Sequence, residues 1–199
     1  MSRAVCVMAV VLGLLGSIGE AAERRWIVTV DNGKPAGELL IRCTAGSECS
    51  TRFIFKDNGR GPEISETFRI AADGTFANYE VKGSTTFGSK VDERYSTRGN
   101  SGRWQSTTEQ GSAAQVAGKL YLPLNGTEAV IDRVLALTRD GKSVELLPVG
   151  TLSRRTLRTV QVGRGATQRE VALIAITGLG LTPYFVWAST GAEESFFAS

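Results

Sequence analysis

Alternation of apolar and polar residues dominates the chain and predicts strands with one buried and one solvated face. The pattern is clear in residues 51–56, 63–70 and 75–82; within residues 63–70, for example, Ile64 and Phe68 face the same way. Asn-Gly and Asp-Gly turn signals separate the segments and leave connections too short for parallel crossovers. Neighbouring strands are therefore expected to be antiparallel.

One segment, residues 127–139, departs from this alternation. Asn125 and Thr127 are alternative N-caps for a helix here, Glu128 would lie in its first turn, and Gly141 follows its end. We expect an amphipathic helix that covers one face of the sheet. Its apolar residues recur at helical spacing and are Val130, Ile131, Val134, Leu135 and Leu137.

Strands resume after the helix. Residues 171–176 are apolar on both faces and predict the most buried strand, and residues 184–188 and 195–198 form the last strands. The expected fold class is mainly β (α+β): a large, curved antiparallel sheet meander of roughly nine to twelve strands with one main helix, resembling a half-barrel. Its concave side would hold the helix or an apolar guest. Without internal repeats or a linker, residues 22–199 are interpreted as a single β-rich domain.

The N-terminus has the order of a secretory signal peptide, which we assign to residues 1–21. Arg3 precedes an apolar stretch, residues 4–15, and small residues follow up to Ala21 and Ala22, the two alternative cleavage positions. The apolar stretch is shorter than the ~20 residues that span a bilayer, so no permanent membrane anchor is expected. The protein is predicted to be exported, to the periplasm or the extracellular space.

Export bears on the two cysteines of the mature chain, Cys43 and Cys49. An oxidising compartment favours a disulfide between them, and the five intervening residues suit a hairpin loop that would place them opposite each other. Free thiols are the alternative. A metal site would need further ligands, which this sequence does not supply from histidine.

The amino-acid types that are present restrict the possible catalytic chemistry more than the net charge does. The 23 Lys and Arg residues exceed the 20 Asp and Glu residues by three and are scattered, which does not predict nucleic-acid binding. Because the chain contains no histidine, it lacks the usual base of a serine hydrolase and any histidine-held metal. We assign no catalytic, metal or cofactor-binding residue and expect no catalysis from this chain alone. Serine–lysine or paired-carboxylate chemistry stays open.

The closest carboxylate pairs are Asp92–Glu93 and Glu193–Glu194. Alternation along a strand sends Asp92 and Glu93 to opposite faces, and the second pair falls in a polar turn. We therefore expect solvated surface positions for both pairs. We interpret the three tryptophans, Trp26, Trp104 and Trp187, as residues that pack in the core or at its rim.

Several short sequence segments resemble, in the same order along the chain, the N-terminal region of exported metal-dependent amidohydrolases of the imidazolonepropionase-like group. They cover residues 55–62, 91–95, 104–106, 121–126, 175–187 and 195–198. The resemblance implies a β-rich region that precedes a catalytic barrel whose metal is held by a His-x-His pair and further histidines. Since none of these is present, no catalytic residue is transferred to this chain.

Two functions follow as hypotheses. The first is a non-catalytic accessory domain of a secreted amidohydrolase, truncated or separated from its metal-binding barrel, which would be its partner. The alternative is a free-standing periplasmic binding module that holds an apolar ligand or lipid on a curved sheet. An apolar concave face left uncovered by residues 127–139 would distinguish the second from the first.

Overall fold

The computed structural model describes residues 22–30, 33–44, 47–191 and 194–199. The predicted signal peptide, residues 1–21, lies outside this part of the chain. Within the described residues the protein is mainly β, with one α-helix and a curled, half-barrel sheet. The predicted fold class is confirmed.

The first sheet contains eight strands, each hydrogen-bonded to the next along the chain in antiparallel pairs. Short turns join them, as the turn signals predict. The strands are β1 (Ala22–Val30), β2 (Lys34–Cys43), β3 (Glu48–Phe55), β4 (Glu63–Ile70), β5 (Phe76–Ser84), β6 (Lys90–Arg98), β7 (Ser101–Gln105) and β8 (Gln110–Ala114).

The second sheet has six strands in the order β14-β13-β12-β11-β10-β9. Its strands are β9 (Leu120–Tyr121), β10 (Val144–Leu147), β11 (Thr151–Val162), β12 (Arg169–Thr177), β13 (Tyr184–Ser189) and β14 (Ser195–Ala198). Helix α1 (Ala129–Leu137) connects β9 to β10, and a 3-10 turn, Arg139–Gly141, follows it. Strands β9 and β10 pair in parallel, unlike the other strand pairs, because a helical crossover separates them.

Apolar side chains of both sheets and of α1 form one core. The helix is buried on most of its sides, since it lies against both sheets and not on the outside of one. Strand β12 is buried on both faces, as predicted. Among the largest fully buried side chains are Tyr79, Tyr121, Phe76, Leu120, Leu135 and Ile174.

Two features differ from the sequence prediction. The described residues form fourteen strands in two sheets instead of about nine to twelve in one. The additional strands are short and lack a clear apolar alternation; β8, for example, reads Gln-Gly-Ser-Ala-Ala. The helix begins at Ala129, two residues later than predicted, because Thr127 bonds to the first sheet. No helix among the described residues is long and apolar enough to cross a bilayer.

Candidate functional site

The cysteine prediction is confirmed. Cys43 ends β2, Cys49 lies near the start of β3, and the two residues face each other in the strand register. Their Cα atoms are 4.1 Å apart and their sulfur atoms are bonded. The disulfide therefore closes the β2–β3 hairpin at the end of the first sheet.

Replacing both cysteines by serine is expected to lower the free energy of unfolding by about 2 kcal/mol, since the short loop gains conformational freedom when unfolded. Urea denaturation of the two proteins measures the difference. A thiol reductant should destabilise the native protein by a similar amount and leave the Cys43→Ser/Cys49→Ser variant unchanged. Equal stabilities of oxidised native protein and variant would contradict this role.

Burial places the side chain of Glu66 inside the curled sheet. It occupies an inward position of β4 between Ile64 and Phe68 and is only 1% exposed. Its Oε1 accepts hydrogen bonds from the Tyr79 hydroxyl and from the Thr127 backbone N–H, both at 2.6 Å. Its Oε2 accepts from the Thr127 hydroxyl at 2.6 Å and from the Thr51 hydroxyl. Glu66 thus ties the start of α1 to three strands, at the helix end where the dipole favours a negative charge.

A second buried carboxylate comes from β6. Glu93 is 1% exposed and accepts hydrogen bonds from the Tyr121 hydroxyl at 2.6 Å and from the Leu124 backbone N–H at 3.0 Å. Asp92 lies on the opposite face and forms a salt bridge with Lys90. The predicted alternation of this pair is correct, but the surface position predicted for Glu93 is wrong, because Tyr121 and Leu124 pull the carboxylate inside. Of the other pair, Glu193 lies outside the described residues. The solvated position predicted for Glu194 is wrong, because its side chain is only 12% exposed and forms a salt bridge with Arg154.

The third buried carboxylate, Asp132, belongs to α1. It accepts a hydrogen bond from the Phe196 backbone N–H at 2.7 Å and forms an ion pair with Arg24 of β1. One helical side chain therefore joins the first strand to the last one. The Arg24 guanidinium also lies over the Trp26 ring, at 5.3 Å from its centroid.

The three buried carboxylates hold other segments of the chain in place through hydrogen bonds to their backbone N–H groups. All buried side-chain oxygen and nitrogen atoms of the described residues have a hydrogen-bond partner, so Glu66, Glu93 and Asp132 are satisfied by the protein itself. Burial, reinforced by Glu66, raises the pKa of Tyr79 well above its usual value. Burial and the Glu93 carboxylate also raise the pKa of Tyr121, which keeps this phenol a donor. No cluster of three or more potential metal ligands occurs among the described side chains.

An apolar groove of about 240 Å³ opens where the first sheet meets the last strand. It lies between β1–β3 and β14, and Trp26 forms its wall: the ring lies 5.6 Å from that of Phe196, and Nε1 donates to the Phe197 carbonyl at 3.2 Å. The helix thus leaves part of the concave face uncovered. The lining of the groove is mixed. Its polar part includes Thr29, Glu128 and Ser199, and its apolar part includes Trp26, Val28, Leu39, Phe53 and Phe196.

A second apolar groove of about 210 Å³ lies on the other side of Glu128, which lines both grooves. The start of α1 and the loop before β13 form it. A wider depression of about 520 Å³ near the disulfide is lined mostly by exposed polar side chains of the outer sheet face, such as Arg42, Thr67 and Asn78. The second groove is lined by Leu122, Pro123, Val130, Ile131, Leu179 and Tyr184, among others.

The remaining tryptophans lie apart from the groove. Trp104 packs against Tyr121 in the interior, with ring centroids 6.5 Å apart. Trp187 lies on the outer face of the second sheet, under the guanidinium group of Arg158 at 5.4 Å. Trp26 and Trp104 pack against the core, whereas Trp187 lies on the outer face of the second sheet.

Fold and site together define a helix-filled, β-barrel-like domain with an apolar groove at one edge. A crystal structure described as a β-barrel-like protein of the domain of unknown function DUF1849, from Brucella abortus, is similar at a TM-score of 0.50 and 11% identity, covering 88% of each chain. This similarity supports the fold alone. A DUF1089 family protein from Pseudomonas aeruginosa also matches, at a TM-score of 0.35 and 14% identity over 94% of this chain and 93% of that chain.

Searches by sequence add no family. No family model matches the chain, and no curated protein matches it. The resemblance to amidohydrolases stays a prediction, since neither structural neighbour bears on it.

Proposed function

We propose that this chain is an exported, non-catalytic binding module that holds the acyl chain of a lipid in the groove between β1–β3 and β14. The observation that carries the proposal is the apolar part of the groove, formed by Trp26, Val28, Phe53 and Phe196; Glu128 supplies a polar group beside it. Ligand sites are typically concave, mostly apolar and few in number. The polar groups nearest the core are already bonded to one another, which favours binding over chemistry.

The size of the groove indicates what it accommodates. An apolar cavity of about 150 Å³ is large enough for benzene, so 240 Å³ accommodates one ring or a short stretch of alkyl chain. Each methylene that enters contributes about 0.8 kcal/mol. A longer chain would continue past Glu128 into the second groove, which is apolar as well.

The disulfide supports the location. A bond between Cys43 and Cys49 persists in an oxidising compartment and is rare in the cytosol. Together with the signal peptide predicted for residues 1–21, it favours the periplasm or the extracellular space, where lipids are carried between membranes.

An apolar fluorescent probe tests the groove. N-phenyl-1-naphthylamine should bind the purified protein with increased fluorescence, and a long-chain alcohol should displace it. Val28→Arg should weaken probe binding by roughly tenfold or more, because a charge enters the apolar lining. The matched control is Val149→Arg, at a position 84% exposed and outside the groove.

Both variants should keep the native circular dichroism spectrum. Probe binding that is unaffected by Val28→Arg, or that falls equally with Val149→Arg, would refute the groove as the binding site.

The second candidate function is the accessory domain of a secreted amidohydrolase. The ordered phrases that resemble that family favour it; residues 55–62, for example, form the β3–β4 turn. The coding sequence downstream of Ser199 tests this candidate. A His-x-His codon pattern, in frame or after a frameshift, would support it, and the absence of any barrel-coding sequence nearby would argue against it.

A further inference from the structure

The outer face of the second sheet combines arginine with aromatic and aliphatic side chains. Its inner face is fixed by the core residues Ile174, Ile176 and Val186, so the residues between them point outward. Two adjacent cross-strand rows follow from the register of β11, β12 and β13. They are Arg155–Ala175–Phe185 and Arg158–Leu173–Trp187, which we term the arginine–aromatic face.

Apolar side chains protrude from this region into solvent. Phe185 is 51% exposed, and Leu157, in the bulge between the two rows, is 39% exposed. Leu181, in the loop that leads to Phe185, is fully exposed. The Arg158 guanidinium covers the Trp187 ring at 5.4 Å. A soluble sheet normally presents polar residues on its outer face, so this composition indicates a binding surface.

Basic side chains belong to the same part of the chain. Residues 151–199 contain five arginines and three glutamates, and one of these arginines, Arg154, is paired with Glu194. Arg155, Arg158 and Arg169 are exposed, and none of them forms a salt bridge with an acidic residue of the part of the chain that the structure describes. Glu170 accepts its hydrogen bonds from Gln161 and Thr190.

The outer face of the first sheet is different. Many of its charged side chains form pairs across or along the strands, for example Arg42–Glu23. Exposed arginines such as Arg69 and Arg103 also occur there. The second sheet therefore differs by combining its arginines with the exposed apolar side chains of Phe185 and Leu157.

We propose that the arginine–aromatic face docks onto the surface of an anionic lipid bilayer. Arginines attract anionic headgroups, while aromatic and aliphatic side chains insert at the boundary with the acyl chains. Arginine side chains suit this boundary because their apolar stems lie along the hydrocarbon as the charge stays in water. The exposed aliphatic side chains of Leu157 and Leu181 favour a bilayer over a nucleic acid, because bases stack on aromatic rings but offer no hydrocarbon interior for aliphatic side chains.

Co-sedimentation with vesicles tests the proposal. The native protein should bind vesicles of phosphatidylcholine mixed with phosphatidylglycerol, bind pure phosphatidylcholine weakly, and dissociate at high salt. Arg155→Gln/Arg158→Gln should lower the partition coefficient by roughly 30-fold, the attraction of two basic residues at an anionic surface. Phe185→Ser should weaken binding at any salt concentration.

The matched control is Arg69→Gln/Arg103→Gln, which removes the same charge from exposed positions of the first sheet. An equal loss of binding in the control would refute a defined face, as would binding to both kinds of vesicle alike. A gel shift with duplex DNA that the Arg155→Gln/Arg158→Gln variant loses, without vesicle binding, would assign the face to nucleic acid and overturn the proposal.

The proposals for the groove and for the arginine–aromatic face can be refuted separately. Val28→Arg should weaken binding of the apolar probe and leave vesicle binding unchanged, because Val28 belongs to β1 in the first sheet. Vesicle binding that is lost with Val28→Arg but retained in Arg155→Gln/Arg158→Gln would contradict docking through the second sheet.

Discussion

Replacing Glu66 by alanine is expected to lower the free energy of unfolding by about 3–5 kcal/mol, the cost of leaving buried polar partners unmatched. The Glu66 carboxylate accepts four hydrogen bonds, from Thr51, Tyr79 and Thr127. All of these donors lose their acceptor together. The start of α1 also loses its link to the first sheet, so the loss exceeds that of a single hydrogen bond.

Urea denaturation followed by circular dichroism measures this effect, and Glu63→Ala is the control. Glu63 lies on the same strand, is exposed, and forms only a surface salt bridge with Lys56, so its replacement should cost less than about 1 kcal/mol. Glu66→Gln keeps the shape but turns one acceptor into a donor, and its stability should lie between those of the other two variants. Similar stabilities of Glu66→Ala and Glu63→Ala would show that the buried carboxylate does not hold the helix.

Alkaline solution is expected to destabilise the protein steeply. Burial raises the pKa of Tyr95 to about 12, with a smaller contribution from Asp73. The pKa of Tyr79 is raised further by burial and by Glu66, and the pKa of Tyr121 by burial and by Glu93. Unfolded tyrosine ionises near pH 10, so above this pH the unfolded chain loses protons that the folded chain retains. The stabilisation is complete below about pH 10 and is lost as the pH rises through the folded pKa values.

Between about pH 10 and 11 each of the three buried tyrosines lowers the free energy of unfolding by about 1 kcal/mol, since the unfolded phenol is only half ionised at pH 10, so the total fall should be about 3 kcal/mol. Urea denaturation at a series of pH values measures the slope. Tyr95→Phe, which removes one phenol without breaking a hydrogen bond to a carboxylate, should reduce the slope by roughly one third. An unchanged slope in this variant would contradict the assignment of Tyr95.

The strands and the helix could be predicted because a single pattern specifies each of them. Alternation between buried and exposed positions in β4 and β5 follows the apolar residues of the sequence closely. Glu66 was missed although it occupies an inward position between Ile64 and Phe68, because a glutamate is normally assigned to the surface. Its burial depends on Thr51, Tyr79 and Thr127, which only the fold brings together.

The division into two sheets could not be predicted for a similar reason. Strands β9 and β10 have only two and four residues, and their parallel pairing depends on the path of α1 between them. The cysteine pair was predictable because both residues belong to one hairpin. The position of the groove beside Trp26 could not be predicted, since it combines β1–β3 with the distant β14. The arginine–aromatic face combines consecutive strands, but its rows depend on their register and on the bulge at Leu157, which a periodic pattern does not reveal.

The buried carboxylates and the groove are connected. Glu66 and Asp132 hold α1 against the first sheet and against β14, so the helix fills the interior but stops short of the β1–β3 edge. The uncovered apolar surface is therefore a consequence of where the helix is tied. This arrangement explains how one domain can have both a well-packed core and an open apolar groove.

Intermolecular nuclear Overhauser effects between a long-chain alcohol and the isotope-labelled protein test the binding module most directly. We predict contacts from the alkyl chain to Val28, Phe53 and Phe196, and their disappearance in Val28→Arg. Contacts confined to the outer sheet faces, or no binding of the alcohol at all, would contradict the assignment of this groove as the ligand site.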